Sequence, residues 1–137
     1  MAQIANLECF KLLIKHEIGE LKRIKKDLNL DEHIPGVDNF SIVLLYSEFS
    51  LKDYLQSVVS SMRASDIIAT LDNFILCLLP GTDKEGGIHL AEGIKDFLGE
   101  RGYYIVITYP EDGSSYEELM ASLELYSSSK GKRVPAL

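Results

Sequence analysis

The sequence predicts an α+β domain: a ferredoxin-like βαββαβ core with an antiparallel sheet, joined by a long N-terminal helix and a C-terminal helix. Three observations lead there. Short apolar runs bounded by turn residues alternate with helical-period stretches in the order β-α-β-β-α-β. A Ser/Thr-x-x-Asp/Glu spacing stands before each of three helical stretches, at Ser50–Asp53, Thr82–Glu85 and Ser115–Glu118. An Asp72-Asn73 dipeptide separates two apolar runs at hairpin spacing and tolerates the positive φ of a tight turn.

The elements follow in order. Leu7, Ile14, Leu21 and Leu28 recur every seven residues with Phe10 and Ile24 between them, and Glu17 interrupts that second row. This is a helix of about six turns at the 3.6-residue repeat. Its stripe serves either to pack on the domain or to form a signalling or dimerising coiled coil. Asn29–Asn39, with Pro35-Gly36, reads as turn. Phe40–Tyr46 is a buried strand, and Leu51, Leu55, Val58, Val59 and Met62 mark a helix. Asp66–Leu71 and Phe74–Leu79 form a hairpin closed by Pro80-Gly81. A helix through Ile88, Ala91, Ile94, Phe97 and Leu98 stops at Gly99–Gly102. Tyr103–Tyr109 is the last strand, a final helix reaches about Ser127, and Ser128–Leu137 is expected to fray. The organisation is therefore an N-terminal helix in 1–29, packed or dimerising, and a domain at 38–137.

Composition narrows the classes. The 137 residues are 46% apolar and 26% charged, enough for one real core. A net charge of −7 argues against a nucleic-acid partner. Residues 1–27 carry six basic against four acidic side chains, net +2, leaving −9 for the remainder. The longest apolar run, Phe74–Leu79, is far short of the ~20 residues that span a bilayer, so no membrane insertion is expected. Glu8 and Lys11 interrupt any signal-peptide core. Cys9 and Cys77 lie inside apolar patterns and read as packed, reduced thiols, which points to a cytoplasmic setting.

Glu17-Ile18 and Arg23 on the first helix, Phe40-Ser-Ile-Val-Leu-Leu, and above all Arg63-Ala-Ser-Asp66 followed by Phe74-Ile-Leu-Cys-Leu-Leu-Pro-Gly-Thr82 stand in a distinctive order. Leu90-Ala91-Glu92, Tyr109-Pro-Glu-Asp-Gly113, Glu118-Leu-Met and Leu125-Tyr126 continue it. Over about residues 15–133 the chain resembles the GGDEF family of diguanylate cyclases. That resemblance implies the βαββαβ fold, a bacterial cytoplasmic signalling setting and cyclic di-GMP as the associated nucleotide.

The chain also departs from that pattern where the family's chemistry sits. Joining two GTP molecules under two divalent ions needs carboxylates at the end of the first strand and in the hairpin, with glycines for close phosphate approach. Here Tyr46 stands where the first metal-binding Asp would fall, and the hairpin is only Asp72-Asn73-Phe74. Both signature glycines are deleted and the second acid is an amide, which cannot neutralise a metal's charge. The guanine-recognising loop is missing, because Phe49 runs almost directly into the helix at Leu55, and Lys130 lies one residue out of register for the phosphate-contacting Lys. The expectation is no catalytic residues, no metal site, no cofactor and no cyclase activity.

Arg63 and Asp66 remain as a candidate cyclic di-GMP site, matching the family's inhibitory Arg-x-x-Asp pair. A guanidinium can donate to guanine O6 and N7, and a carboxylate can accept from N1 and N2. The same residues equally suit a helix C-terminus and a turn. His16, His33 and His89 have no partner at metal-ligand spacing, and Gly81-x4-Gly86 lacks the Lys-Ser/Thr of a phosphate loop. Two functions are therefore expected: a degenerate regulatory domain working by protein contact or self-association, through its N-terminal helix or an exposed edge, or a cyclic di-GMP receptor using Arg63 and Asp66.

Overall fold

The computed structural model describes residues 2–28, 38–131, 133–135 and 137. Its elements are β1 (Gln3–Ile4), α1 (Leu7–Asp27), β2 (Phe40–Tyr46), α2 (Leu51–Ser60), β3 (Ile67–Leu71), β4 (Phe74–Pro80), α3 (Lys84–Ile94), a 3₁₀ turn (Lys95–Leu98), β5 (Tyr103–Tyr109) and α4 (Tyr116–Ser129). The βαββαβ core of β2 to β5 is antiparallel throughout, as the pattern of apolar runs predicts. One strand was not anticipated. β1 adds to the edge of β3 in parallel, giving a five-stranded sheet in the order β1-β3-β4-β2-β5. Two residues are too few for any periodicity to betray them.

β2 lies in the middle, paired along its whole length with β4 on one side and β5 on the other. Its continuous apolar run follows from burial on both faces. Phe40, Ile42 and Leu44 join one layer with Phe10, Ile14, Ile18 and Leu21 of α1 and Leu119 and Leu123 of α4. Val43 and Leu45 join the other with Tyr54, Val58 and Val59 of α2 and Ala91 and Ile94 of α3. Ser41 is polar within that second layer because it has work there: its hydroxyl donates to the carbonyl oxygens of Thr82 (2.9 Å) and Asp83 (3.1 Å), fixing the start of α3. Gly87 lets α3 approach, since a Cβ there would stand 2.7 Å from a Val106 methyl.

The apolar stripe of α1 is spent inside the domain. Phe10, Ile14, Ile18 and Leu21 are buried against the sheet, leaving Leu12 and Leu28 more than three-fifths exposed on the outside. These contacts pack four residues of the helix into one layer of the same chain's core. Cys77 is buried in β4 but Cys9 is exposed, because it sits on the outward face of α1, where its N–H donates to the capping Asn6 side chain at 2.8 Å.

Three local expectations need correction. Ser50 starts α2 without a side-chain cap, and only its carbonyl accepts, from Asp53 N–H. The cap of α3 is Asp83, one residue after Thr82, its carboxylate accepting from Gly86 N–H at 2.9 Å; Thr82 is engaged elsewhere. The described residues of the tail are not all frayed. Val134 is buried in the α1/α4 layer, its N–H donates to Ser127 Oγ at 3.1 Å, and Arg133 reaches Glu124. The Asp72-Asn73 hairpin forms as expected, with Asp72 at φ 54°. Of the turn expected over Asn29–Asn39, residues 29–37, His33 among them, lie outside the described residues.

Glu17 carries a consequence of this packing. Partial burial on α1 raises its carboxyl above the usual range, against a smaller opposing pull from His16. A raised carboxylate pKa means the folded state prefers the neutral form, so the penalty is present at neutral pH. It disappears as pH falls below the ordinary value near 4.5, where folded and unfolded chains both hold the proton. Glu17→Gln is therefore expected to raise the melting temperature by a degree or two at pH 7. Thermal unfolding at pH 7 and at pH 4 should show that gain shrink at the lower pH.

Candidate functional site

Arg63 and Asp66 bracket the short loop from α2 to β3. Asp66 N–H donates to the Arg63 carbonyl at 3.0 Å, which closes the turn and brings the two side chains together. Asp66 is 1% exposed, and both its oxygens are taken. Oδ2 accepts from Arg63 N–H at 2.9 Å, and Oδ1 accepts from Arg63 Nη2 at 2.8 Å and Nε at 3.2 Å. Arg63 Nη2 goes on to the Pro80 carbonyl (3.1 Å) and Thr82 Oγ1 (2.9 Å), tying the loop to the end of β4. The Asp66 carbonyl accepts from Gln3 N–H, so the same loop anchors β1. Its charge also acts inward: burial first, and Asp66 second, push the Cys77 thiol upward, keeping it protonated.

The Arg63 side chain is nonetheless 56% exposed, and it borders a cavity of about 380 Å³ shared with Thr82, Asp83, His89 and Leu90. Sequence reasoning put Arg63 and Asp66 together, and the structure does so; both line the cavity, with both oxygens of the carboxylate bonded to the arginine. Thr82 was not anticipated as a partner. Only the meeting of the β4 end with the α2–β3 loop brings it there.

The second place of interest is the end of β2. Tyr46 lies in register with Phe74 of β4 and Tyr103 of β5, and the three rings form a row across the strands. Centroids are 5.1 Å from Tyr46 to Phe74 and 5.4 Å from Tyr46 to Tyr103, ordinary distances for favourable aromatic pairs. Burial, with Tyr46 beside it, pushes the Tyr103 phenol up to about 12, so it is neutral and no base at physiological pH.

Asn73 is equally committed. Its side-chain amide donates to the carbonyls of Ser47 and Phe49, both at 3.2 Å, and its own carbonyl accepts from Tyr54 OH at 2.5 Å. These bonds need a donor, so a carboxylate at this position would face two carbonyl oxygens with nothing to give. The amide is thereby explained by the loop it holds. Tyr46 stands between two cavities, one of about 300 Å³ with Asp72, Asn73 and Arg133, the other of about 460 Å³ with Arg101, Tyr103 and Lys130. Arg133 reaches this region only because the tail folds back, which no sequence period announces. Among the described residues no three His, Cys, Asp or Glu side chains are grouped to hold a metal ion.

Two outcomes test these assignments. Arg63→Ala leaves a buried carboxylate without its partner and is expected to cost about 2–3 kcal/mol in urea unfolding, ligand or no ligand. Arg63→Lys recovers only part, because an ammonium cannot span the carboxylate, Pro80 and Thr82 at once. Tyr46→Asp, which puts an acid at the strand end, loses both ring contacts and is expected to cost about 2 kcal/mol or more by the same measurement.

No protein-family model matches the chain, and comparison with curated protein sequences finds no relative. Among solved structures, the chain is similar to the GGDEF domain of TpbB, also called YfiN, from Pseudomonas aeruginosa, determined in an N-terminally shortened form comprising only that domain. The TM-score is 0.65 at 14% identity, covering 95% of this chain and 87% of that one. At that identity the likeness is one of architecture: the chain has the fold of a GGDEF domain.

Proposed function

We propose that this chain is a non-catalytic signalling domain on a GGDEF-type fold, acting through contact with another protein. The observation that carries this reading is the row Phe74–Tyr46–Tyr103 at the end of β2. Condensing two nucleotides there would require clustered carboxylates to clamp metal ions against phosphates. An aromatic ring occupies the strand end instead, and Asn73 spends its amide on the β2–α2 loop. The remaining acid, Asp72, is the positive-φ residue of a two-residue turn. Purified chain incubated with GTP and Mg²⁺ or Mn²⁺ is expected to give no cyclic dinucleotide above background, and turnover would sink the reading.

A second reading is favoured by one observation, the half-exposed Arg63 side chain beside its cavity. Cyclic di-GMP could stack against that surface and accept from the outward edge of the guanidinium. For Asp66 to read guanine as well, its bonds to Arg63 would have to open. Isothermal titration with cyclic di-GMP separates the two readings. The contact reading expects no heat at high ligand from a folded sample. A micromolar constant, about −8 kcal/mol, that Arg63→Lys weakens while the chain stays folded would make it a receptor.

A further inference from the structure

Strand β5 ends the sheet on one side. The Tyr109 carbonyl faces β2, accepting from Asn39 Nδ2 at 2.8 Å. Thr108 faces away: its N–H donates to Asp112 Oδ2 and its carbonyl accepts from Asp112 N–H, both at 2.8 Å. Because a strand alternates with period two, the N–H and C=O groups of Tyr104 and Val106 point outward too. No backbone hydrogen bond among the described residues takes them up. The opposite edge is treated differently, since β1 lies along β3, with Gln3 N–H on the Asp66 carbonyl and Ala5 N–H on the Ile68 carbonyl. Open edges are ordinarily guarded by charge, proline or a bulge. Tyr-Tyr-Ile-Val-Ile-Thr-Tyr holds no charge and no proline, and its register with β2 runs without a bulge.

We infer that this edge pairs with the same edge of a second copy of the chain, β5 antiparallel to β5 about a twofold axis at Ile105. In that register Tyr104 of one copy lies opposite Val106 of the other. Each pair exchanges both backbone bonds, and the axis repeats the arrangement. Continued past the strand ends, the same register sets Arg101 opposite Tyr109 of the second copy and diagonal to Glu111, a separation that an arginine side chain spans. Arg101 is exposed and its guanidinium has no partner among the described residues. Glu111 is 61% exposed and approached only by Lys84, at 4.0 Å. This complementarity of charge and backbone is what selects a second copy over an unrelated peptide. The inference rests on the contact reading above and names its first partner as the chain itself.

The test is amide hydrogen exchange on the 137-residue chain at low micromolar and millimolar concentration, beside sedimentation. Dimers should form with rising concentration, and the Tyr104 and Val106 amides should become protected as they do. Arg101→Glu should weaken the dimer about tenfold, and adding Glu111→Arg should restore it. Both substitutions are on exposed side chains, so the fold survives them. A monomer throughout overturns the inference, as does a dimer that leaves those amides exchanging freely or a charge swap that fails to restore it. Protection at every concentration also overturns it, because the chain would then cover its own edge. A folded monomer that binds another protein would end this inference and leave the contact reading standing, whereas GTP turnover would end that reading whatever the oligomer.

Discussion

Burial of β2 on both faces and along both edges is the constraint around which this domain is arranged. Seven consecutive residues, Phe40 to Tyr46, have no solvent side until the last. Parity along that strand then decides the layers, sending Phe40, Ile42 and Leu44 to α1 and α4, and Val43 and Leu45 to α2 and α3. Because side chains alternate with period two, a slip of one residue would exchange the layers and bury Ser41 away from the Thr82 and Asp83 carbonyls. The strand cannot shift, so what it carries at its end is held in a fixed place.

What it carries is Tyr46. The resemblance that the sequence suggests implies an acid at this position, and this chain has a ring there. A ring between Phe74 and Tyr103 gains from packing and asks for nothing from solvent. The neighbouring loop has been drawn into the same arrangement: Asn73 fastens the segment after β2, Tyr54 fastens Asn73, and Ser47 donates to the Leu98 carbonyl. Ser47, Phe49, Tyr54 and Asn73 are thus bonded to one another at this end of the sheet. The Arg63–Asp66 pair has the same character: the guanidinium ties the α2–β3 loop to the end of β4, and the Asp66 backbone carbonyl holds β1.

The order of elements was legible because each of its long strands is a buried run and each helix an amphipathic period, and Phe40–Tyr46 and Tyr103–Tyr109 hold to the residue. Hairpin chemistry at Asp72-Asn73 was legible for the same local reason. What escaped was set by tertiary contact. β1 is defined by the edge it joins, the tail by the pocket that Val134 fills, and the α3 cap by Thr82 turning to Arg63 while Asp83 takes its place. The candidate site was half legible: spacing brought Arg63 to Asp66, but nothing in a four-residue motif reveals that the carboxylate is 1% exposed with every bond directed at its own loop.

The central claim is that an aromatic row, not a metal clamp, occupies the end of β2. Paramagnetic Mn²⁺ titrated into isotope-labelled chain, with and without GTP, tests it most directly, since a bound ion broadens the amide signals around it. The account predicts no selective broadening at Tyr46, Asp72 and Asn73. Selective loss of those signals at low metal, sharpened by GTP, would contradict it.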